Sequence, residues 1–232
     1  MSPPPDPHPP FAAAAGEFPP REYRLRLAGR EWSVLYTGEV ITMLQEQRFL
    51  GETEGRPPYG VVLWPAAIAL AHDVAARADA FRGRRVLELG AGTGLPGIVA
   101  ASFGAAVVQT DRQAEAMAVC RLNGERNGAT SITYRIADWT VWDDAGRYAW
   151  IVGADILYGE ATQPHLRRIF AENLAPGGRV LVADPFRKAS LRLLEAMEAD
   201  GWGVAMSKWT VGEARARPAP RAVGVFELTP PA

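Results

Sequence analysis

The residues with the clearest chemical meaning in this chain form a glycine-rich run behind a short apolar stretch. Val86-Leu87-Glu88-Leu89 is followed by Gly90-Ala91-Gly92-Thr93-Gly94, and an apolar helical pattern begins at Leu95. A short apolar run that breaks into glycines and resumes as a helix indicates a strand, a turn and a helix. Glycine has no Cβ, so its backbone can approach a ligand closely. The run therefore predicts a cofactor site at the end of this strand.

Two classes of cofactor fit such a turn. The run 92–97 spells the G-x-G-x-x-G of dinucleotide sites, and Asp111 follows at about the 20-residue spacing of that fingerprint. However, Glu88 stands two residues before Gly90, which gives Glu-x-Gly-x-Gly-x-Gly with the first glycine directly at the strand end. That arrangement resembles motif I of class I, seven-strand methyltransferases, which use S-adenosylmethionine.

Strand and helix patterns alternate regularly behind the glycine turn. Strand patterns lie at 86–89, 107–110, 132–136, 150–156 and 180–183, and helical patterns begin at 95, 114, 163 and 190. This alternation predicts a parallel, doubly wound sheet. Two further β-like runs, 204–211 and 222–228, have no helical pattern between them. We therefore expect an α/β fold, a Rossmann-like seven-strand methyltransferase sheet with an antiparallel C-terminal hairpin.

The segments before the sheet predict a separate extension. Residues 1–20 are dominated by proline and alanine, which cannot bury enough apolar surface to fold, so we expect a disordered tail. Alternation at 23–27 and 31–36 predicts an N-terminal β-hairpin, followed by a helical stretch at 42–50 and a loop at 51–58. Pro65 suits the first turn of a helix that we expect to reach about residue 80. The expected organisation is a tail at 1–20, a hairpin-and-helix extension at 21–58 and an S-adenosylmethionine-binding methyltransferase domain at 59–232.

Composition argues against several classes of function. The 232 residues, 48% of them hydrophobic, are enough for one packed α/β domain. A formal net charge of -1 argues against general electrostatic binding of nucleic acid. The longest apolar run, 61–71, is shorter than the ~20 residues that span a bilayer, and no secretory pattern opens the chain. The single Cys120 permits no intrachain disulfide, and no Cys/His spacing matches a zinc site. We expect a cytoplasmic monomer without a metal site, a membrane segment or a nucleic-acid partner.

The carboxyl ends of parallel strands carry the ligand in open sheets, so the residues there define the predicted site. The amides of Gly90, Ala91 and Gly92 are placed to face the methionine moiety of the cofactor. Glu88 is placed to receive the loop or the amino group. Asp111 ends the next strand, where it can accept hydrogen bonds from both ribose hydroxyls; the alternative is a cap for the following helix.

Two further strand ends carry polar and aromatic residues. Asp138 and Trp139 follow the strand at 132–136 and offer an acceptor for the adenine amino group and an aromatic face beside the ring. Asp155 and Tyr158 lie at the end of the strand at 150–156, next to the point where a methyl group would leave sulfur. The alternatives are core packing for Trp139, a turn cap for Asp155 and packing for Tyr158.

Together these residues resemble those of the methyltransferase-like protein lysine methyltransferases, also called methyltransferase family 16. Within that family, the chain resembles a bacterial-type member. The resemblance covers about 59–184 and rests on Trp64 with Ala66-Ala67-Ile68, on Glu88 to Gly94, on Thr110-Asp111-Arg112, on Asp138-Trp139 and on Gly153-Ala154-Asp155-Ile156-Leu157-Tyr158. It implies cofactor contacts from the glycine loop, Trp64, Asp111, Trp139 and Ala154. It also implies that Asp155 and Tyr158 border the acceptor lysine. The run Asp184-Pro185-Phe186-Arg187 is similar to the matching run in bacterial relatives of the enzyme that methylates an electron-transfer flavoprotein subunit. In those relatives we expect glycine at the position of Phe186.

The mechanism implied by this resemblance is in-line displacement at the sulfonium methyl by a neutral amine. A lysine, with a reference pKa of about 10.4, must lose its proton before it attacks. We expect Asp155 to hold the arriving ammonium and Tyr158 to fix the lone pair of the amine, while proximity supplies much of the acceleration. Rival interpretations are a small-molecule methyltransferase with the same cofactor and a catalytically silent cofactor-binding module. A NAD-dependent oxidoreductase would need a Tyr-x-x-x-Lys pair, and Thr162 stands four residues after Tyr158.

Overall fold

A seven-stranded sheet forms the centre of the computed structural model, which describes residues 20–37, 59–212 and 220–231. Its strands are β3 (Arg85–Leu89), β4 (Ala106–Asp111), β5 (Ile132–Ile136), β6 (Tyr148–Ala154), β7 (Leu174–Asp184), β8 (Gly203–Val211) and β9 (Arg221–Thr229). A separate antiparallel hairpin pairs β1 (Pro20–Leu27) with β2 (Arg30–Thr37). The predicted tail, apart from its last residue, and the predicted helix at 42–50 with its loop at 51–58 lie outside the described residues.

The helices of the described chain follow the predicted alternation with one exception. They are α1 (Pro65–Ala76), α2 (Ala78–Phe81), α3 (Leu95–Ser102), α4 (Ala114–Arg126), α5 (Gln163–Asn173) and α6 (Lys188–Ala199). Short 3-10 turns lie at Tyr59–Val61 and Trp139–Val141. The single helix expected from Pro65 to about residue 80 is wrong, because Arg77 leaves helical geometry at φ -110 and ψ 24. The side chain of Arg77 is bound there between Asp73 and Glu227.

The order of the strands places a ligand crevice at the centre of the sheet. The order is β5-β4-β3-β6-β7-β9-β8; the first five strands are parallel, and β9 runs antiparallel to both of its neighbours. The chain winds outward from β3 to β5 and then returns to β6 on the other side of β3. Such a switch point opens a crevice at the carboxyl ends of the two central strands. The predicted doubly wound sheet, its antiparallel C-terminal hairpin and the N-terminal hairpin are confirmed.

Two hydrophobic clusters, one on each face of the sheet, hold the strand ends in place. Successive residues of a strand point to opposite faces. Accordingly Val86 belongs to the cluster that contains residues of α1 and α3, whereas Leu87 belongs to the cluster that contains residues of α5 and α6. Both side chains are fully buried. The carboxyl ends of β3 and β6 therefore extend from a packed core that fixes their position.

The N-terminal hairpin is bound to the same body through the buried side chain of Asn123 on α4. The Asn123 Oδ1 accepts from the Leu35 amide at 2.8 Å, and its Nδ2 donates to the Leu35 carbonyl at 3.0 Å. The same Nδ2 donates to the Thr93 carbonyl in the glycine turn at 2.9 Å. Trp32 of the hairpin is fully buried. One asparagine thus links the hairpin to the turn that follows β3.

Candidate active site

The glycine turn after β3 has the backbone that its glycines require. Gly90, Gly92 and Gly94 have φ values of 61°, 54° and 82°, in the left-handed region that favours glycine. The Ala91 amide donates to the Thr110 carbonyl at 2.9 Å, and the Gly92 amide donates to a carboxylate oxygen of Asp111 at 3.1 Å. The turn is therefore fastened to the end of β4.

Glu88 lies beneath this turn in a buried network of hydrogen bonds. Its Oε2 accepts from the Gly97 amide at 3.1 Å and from the Gln109 Nε2 at 2.6 Å. Gln109 also donates to the Gly94 carbonyl at 2.8 Å and accepts from the Cys120 thiol at 3.0 Å. Burial raises the pKa of Glu88 to about 8, although the hydrogen bonds from Gln109 and Gly97 oppose the shift. Glu88 thus contacts the first turn of α3 directly and reaches the glycine turn only through Gln109, and both of its predicted roles stay predictions.

Asp111 joins the two loops that follow β3 and β4. Its Oδ2 accepts from the Gly92 amide, and its Oδ1 accepts from the Gln113 amide at 3.0 Å. Burial raises its pKa, against the effect of these amide hydrogen bonds. A carboxylate offers about four acceptor positions, so two hydrogen bonds leave room for ribose hydroxyls. Asp111 is not the N-cap of α4, because Gln113 occupies that position. Its contact with ribose stays a prediction.

The next strand end brings an aromatic ring to the glycine turn. A Cβ placed on Gly90 would lie 3.3 Å from Cζ2 of Trp139 and 3.0 Å from Cγ2 of Ile156. Trp139 is partly buried and packs against the core cluster on one face of the sheet. Asp138 is exposed, and its carboxylate accepts two hydrogen bonds from Thr140, which lower its pKa. The structure therefore brings Trp139 to the turn and leaves Asp138 at the rim.

The short segment before α1 also crosses the glycine turn, which was not predicted. A Cβ on Gly92 would lie 3.1 Å from the carbonyl oxygen of Gly60. The Gly60 amide donates to the Gln113 Oε1 at 3.2 Å. Trp64, which was predicted to contact the cofactor, is partly exposed just before Pro65 at the start of α1. The only sequence signal for Gly60 was a glycine close to the motif of Trp64.

On the other side of the crevice, β6 ends earlier than predicted. The strand ends at Ala154, not at Ile156, because Asp155 adopts a left-handed backbone with φ 59°. The Asp155 amide still donates to the Ala183 carbonyl of β7 at 2.8 Å. The turn sends Ile156 into the core and leaves Tyr158 at the surface with 50% of its area exposed. The left-handed turn therefore sets the relative positions of the two predicted catalytic residues.

Asp155 is held by an arginine from the end of β7, a contact that was not predicted. Arg187 binds both oxygens of the Asp155 carboxylate; Nη1 contacts Oδ1, and Nη2 lies 3.1 Å from Oδ2. The Arg187 amide donates to Asp184 Oδ1 at 2.7 Å, and Asp184 Oδ2 accepts from the Ser190 hydroxyl at 2.6 Å. Phe186 has φ 64°, so this residue stands where the backbone favours the glycine expected in the resembling sequences.

Tyr158 lies four residues beyond the end of β6 and is half exposed. Burial raises the pKa of its phenol, and the charges that act on it come from both sides of the crevice. Asp111 ends β4 and Arg112 follows it, whereas Asp155 and Arg187 follow β6 and β7. The charge environment of the Tyr158 phenol thus includes residues from three strand ends.

The donor set fits the predicted cofactor. Trp139 packs closely against the glycine turn because Gly90 has no Cβ, and the partly buried Asp111 carboxylate lies at the strand end with acceptor capacity left. Within residues 20–37, 59–212 and 220–231, no group of three or more His, Cys, Asp or Glu side chains could hold a metal ion. In the same part of the chain, no helix is long and apolar enough to cross a bilayer.

The sheet order, the glycine turn after β3 and the carboxylate at the end of β4 define a class I, Rossmann-like methyltransferase. A family comparison places the chain more narrowly. It belongs to the lysine methyltransferase family, whose model matches residues 45–199. The predicted family is therefore confirmed, and S-adenosylmethionine is the cofactor that this family and the donor set support.

Individual relatives agree with this assignment. The chain is 35% identical over 131 residues to the protein N-lysine methyltransferase METTL21A of Xenopus tropicalis. The matched region covers 54% of this chain and 60% of the relative. It is 33% identical over 129 residues to EEF1A lysine methyltransferase 3 of Mus musculus, covering 54% of this chain and 55% of that relative. The chain therefore spans somewhat more than half the length of these relatives. The glycopeptide N-methyltransferase MtfA, solved with sinefungin, has the same fold with a TM-score of 0.57 at 15% identity, covering 69% of this chain and 92% of MtfA.

Proposed function

We propose that this chain transfers a methyl group from S-adenosylmethionine to the side-chain amine of a lysine in a protein substrate. The observation that carries the proposal is the placement of Asp155 and Tyr158 at the end of β6, across the crevice from the glycine turn. Membership of the lysine methyltransferase family supports an amine as the acceptor. The names of the relatives, both protein-lysine methyltransferases, support a protein as its carrier.

The cofactor side of the crevice consists of residues that would hold S-adenosylmethionine, which supplies the methyl group from its sulfonium when bound. The residues proposed for this task are Trp64, Glu88, Gly90, Ala91, Gly92, Asp111, Asp138, Trp139 and Ala154. Glu88 would act on the glycine turn through Gln109, because its carboxyl group accepts from Gln109, which also donates to the Gly94 carbonyl. Asp111 would accept from ribose hydroxyls while it holds the Gly92 amide. The residues on this side would therefore bind and orient the cofactor.

The acceptor side carries charge suited to a lysine. The carboxylates of Asp155 and Asp184 both lie beside the guanidinium of Arg187, and a carboxylate at this end would attract a cation. The phenol of Tyr158 is protonated at neutral pH, since burial raises its pKa above the ordinary value of about 10, and its oxygen can accept an amine N–H. Because Tyr158 is half exposed, water can take the proton that the ammonium loses. The neutral amine would then offer its lone pair to the methyl group that bound S-adenosylmethionine supplies.

The proposal is tested by labelling. Purified protein is incubated with tritiated S-adenosylmethionine and a lysate of the source organism, and the protein fraction is hydrolysed to amino acids. We expect the label in methylated lysine, with much less label from Asp155→Asn protein. Label in a low-molecular-weight fraction would show a small-molecule acceptor instead. Absence of label from a protein that still binds S-adenosylhomocysteine would show a cofactor-binding module without transfer.

A further inference from the structure

The carboxylate that should meet the acceptor amine is already engaged by a cation of the same chain. Arg187 binds both oxygens of Asp155, and the Asp155 side chain is only 6% exposed. A bidentate pair of this kind is among the strongest and most directional side-chain contacts. An arriving ammonium would therefore meet a carboxylate that is already paired with a cation of the same chain.

The backbone on both sides of the pair is held in an unfavourable conformation. Asp155 and Phe186 have φ values of 59° and 64°, although neither is glycine. Such residues cost about 1–3 kcal/mol each and persist where the surrounding structure imposes them, often at functional sites. Asp184 holds the backbone of Arg187, because its Oδ1 accepts from the Arg187 amide at 2.7 Å. The pair is therefore a constructed feature of the two strand ends.

The charges around the Asp155–Arg187 pair decide whether the acceptor amine is favoured as an ammonium or in its neutral form. Among the described residues, Asp184 lies beside the same guanidinium, and the exposed Lys188 follows Arg187 in the sequence. Tyr158 follows Asp155 on the turn after β6, and its phenol is acted on by Arg112, Asp155, Asp111 and Arg187. Without Arg187, two buried carboxylates would face the acceptor and favour its ammonium, which has no lone pair. With Arg187, the charge of Asp155 is offset by the guanidinium that binds both of its oxygens.

We infer that Arg187 sets the charge at the acceptor end, so that this end receives the acceptor amine in its neutral, nucleophilic form once the methyl donor is bound. The inference rests on the proposed function. It assigns Arg187 as a positioning residue that acts through Asp155, since no contact with the reacting atoms is required of it. Its consequence is electrostatic: the potential at the methyl position depends on Arg187 and Asp155 in opposite directions.

The test compares two cofactor analogues by calorimetry at pH 8, and it needs no methyl acceptor. S-adenosylhomocysteine is neutral at sulfur, whereas sinefungin carries an ammonium in place of the methyl sulfonium. The ratio of their affinities therefore reports the potential at the methyl position. We expect Arg187→Gln to shift this ratio in favour of sinefungin by about tenfold, as one charge within a few ångströms does to a titrating group. Asp155→Asn should shift it by a similar factor in favour of S-adenosylhomocysteine.

Two further variants separate charge from folding. Arg187→Lys keeps the charge and should keep the ratio of the unmodified protein, even if it is less stable. Arg192→Gln removes a guanidinium from an exposed pair with Glu160, in which the side chains are 63% and 69% exposed, and should leave the ratio unchanged. A ratio that stays within twofold in both Arg187→Gln and Asp155→Asn overturns the inference while the proposed function stands. If the unmodified protein binds neither analogue, the proposed function fails and the inference with it.

Discussion

The two sides of the crevice use the same unusual backbone with different residues. On the cofactor side, Gly90, Gly92 and Gly94 occupy the left-handed region, and the chain passes close to Trp139 and Gly60. On the acceptor side, Asp155 and Phe186 occupy the same region with side chains. Glycine is used where the backbone must approach a ligand or another segment closely. A strained non-glycine residue is used where a side chain is needed at that position.

The two sides of the crevice also differ in the surroundings of a buried carboxyl group. Glu88 lies under the glycine turn, where it accepts hydrogen bonds from the side-chain amide of Gln109 and the backbone N–H of Gly97. Burial raises its pKa to about 8. Asp155 lies at the end of β6 against the guanidinium of Arg187. The first environment favours a neutral acid that fastens the loop, and the second favours an ion. Fixed charge is therefore placed where the amine enters, and uncharged hydrogen bonds hold the cofactor loop.

The largest effect is expected from a methyl group added to the cofactor side. In Gly94→Ala the new Cβ would lie 2.5 Å from the Cys120 Sγ, and the backbone would keep φ 82°. Left-handed strain costs about 1–2 kcal/mol, and forced overpacking costs a further 1–3 kcal/mol or so. We expect a loss of roughly 2–5 kcal/mol in the free energy of unfolding, measured by urea denaturation, together with loss of S-adenosylhomocysteine binding.

Gly128→Ala is the matched control for this prediction. Its φ is 66°, but no atom lies within 4 Å of the new Cβ. This variant should lose only the strain, about 1–2 kcal/mol. Adding Cys120→Ala to Gly94→Ala removes the clashing sulfur and should recover part of the difference. Equal losses in the free energy of unfolding for Gly94→Ala and Gly128→Ala would mean that close packing under the turn contributes nothing to stability.

The second prediction concerns the protonation of Glu88. Its pKa is raised from 4.5 to about 8 in the folded protein, so the folded state binds the extra proton between these values. This stabilising contribution is complete below pH 4.5 and is lost as the pH rises through about 8. Glu88→Gln cannot lose a proton, so its stability relative to the unmodified protein should rise between pH 6 and pH 9, by about 2–3 kcal/mol. Urea denaturation at the two pH values measures this change.

The exposed Glu125 of α4 provides the control for Glu88. Glu125→Gln should follow the pH dependence of the unmodified protein at both pH values, because its carboxylate lies at the surface of α4. If the curve of Glu88→Gln also runs parallel to that of the unmodified protein, Glu88 is ionised in the folded state. The contrast drawn between Glu88 and Asp155 would then be wrong.

The third prediction removes the charge of Asp155 and keeps its shape. In Asp155→Asn the side chain can still accept a hydrogen bond from Arg187, but the charge-assisted contact with an ammonium is lost. We expect methyl transfer to fall on the order of a hundredfold, because a contact of this kind contributes a few kcal/mol. S-adenosylhomocysteine affinity should change much less. Unchanged transfer to the labelled acceptor would remove Asp155 from the mechanism and leave it as a structural partner of Arg187.

The fold could be predicted from sequence because its signals are local. Alternating strand and helix patterns placed β3, β4 and β5 within one residue of their observed ends, and the helix-free run after α6 predicted the antiparallel hairpin. The glycine turn was predicted for the same reason, since glycine itself reports the backbone. The break after α1 and the early end of β6 were missed, because Arg77 and Asp155 adopt their conformations through partners far along the chain.

The contacts that shape the site depend on such distant partners. Asp155 and Arg187 are 32 residues apart, and Gly60 binds Gln113 across 53 residues. No local periodicity reports a pair of this kind. Position on the sheet was predictable for Asp111 and Trp139, because the carboxyl ends of parallel strands meet at one edge. The hydrogen bonds that each side chain makes there were not.

The smallest of the expected effects concerns Asp111, which connects the two loops of the cofactor side. Asp111→Ala removes a charged acceptor and should weaken S-adenosylhomocysteine binding by roughly 1.5–3 kcal/mol, measured by calorimetry. Because the Gly92 and Gln113 amides lose their acceptor, the melting temperature should fall as well. Asp111→Asn keeps one acceptor oxygen for these amides, so it should recover stability more than affinity. Asp79→Ala, at a side chain that is 91% exposed, should change neither quantity. If Asp111→Asn recovers both fully, Asp111 only fastens the loops, and the ribose is held by other groups.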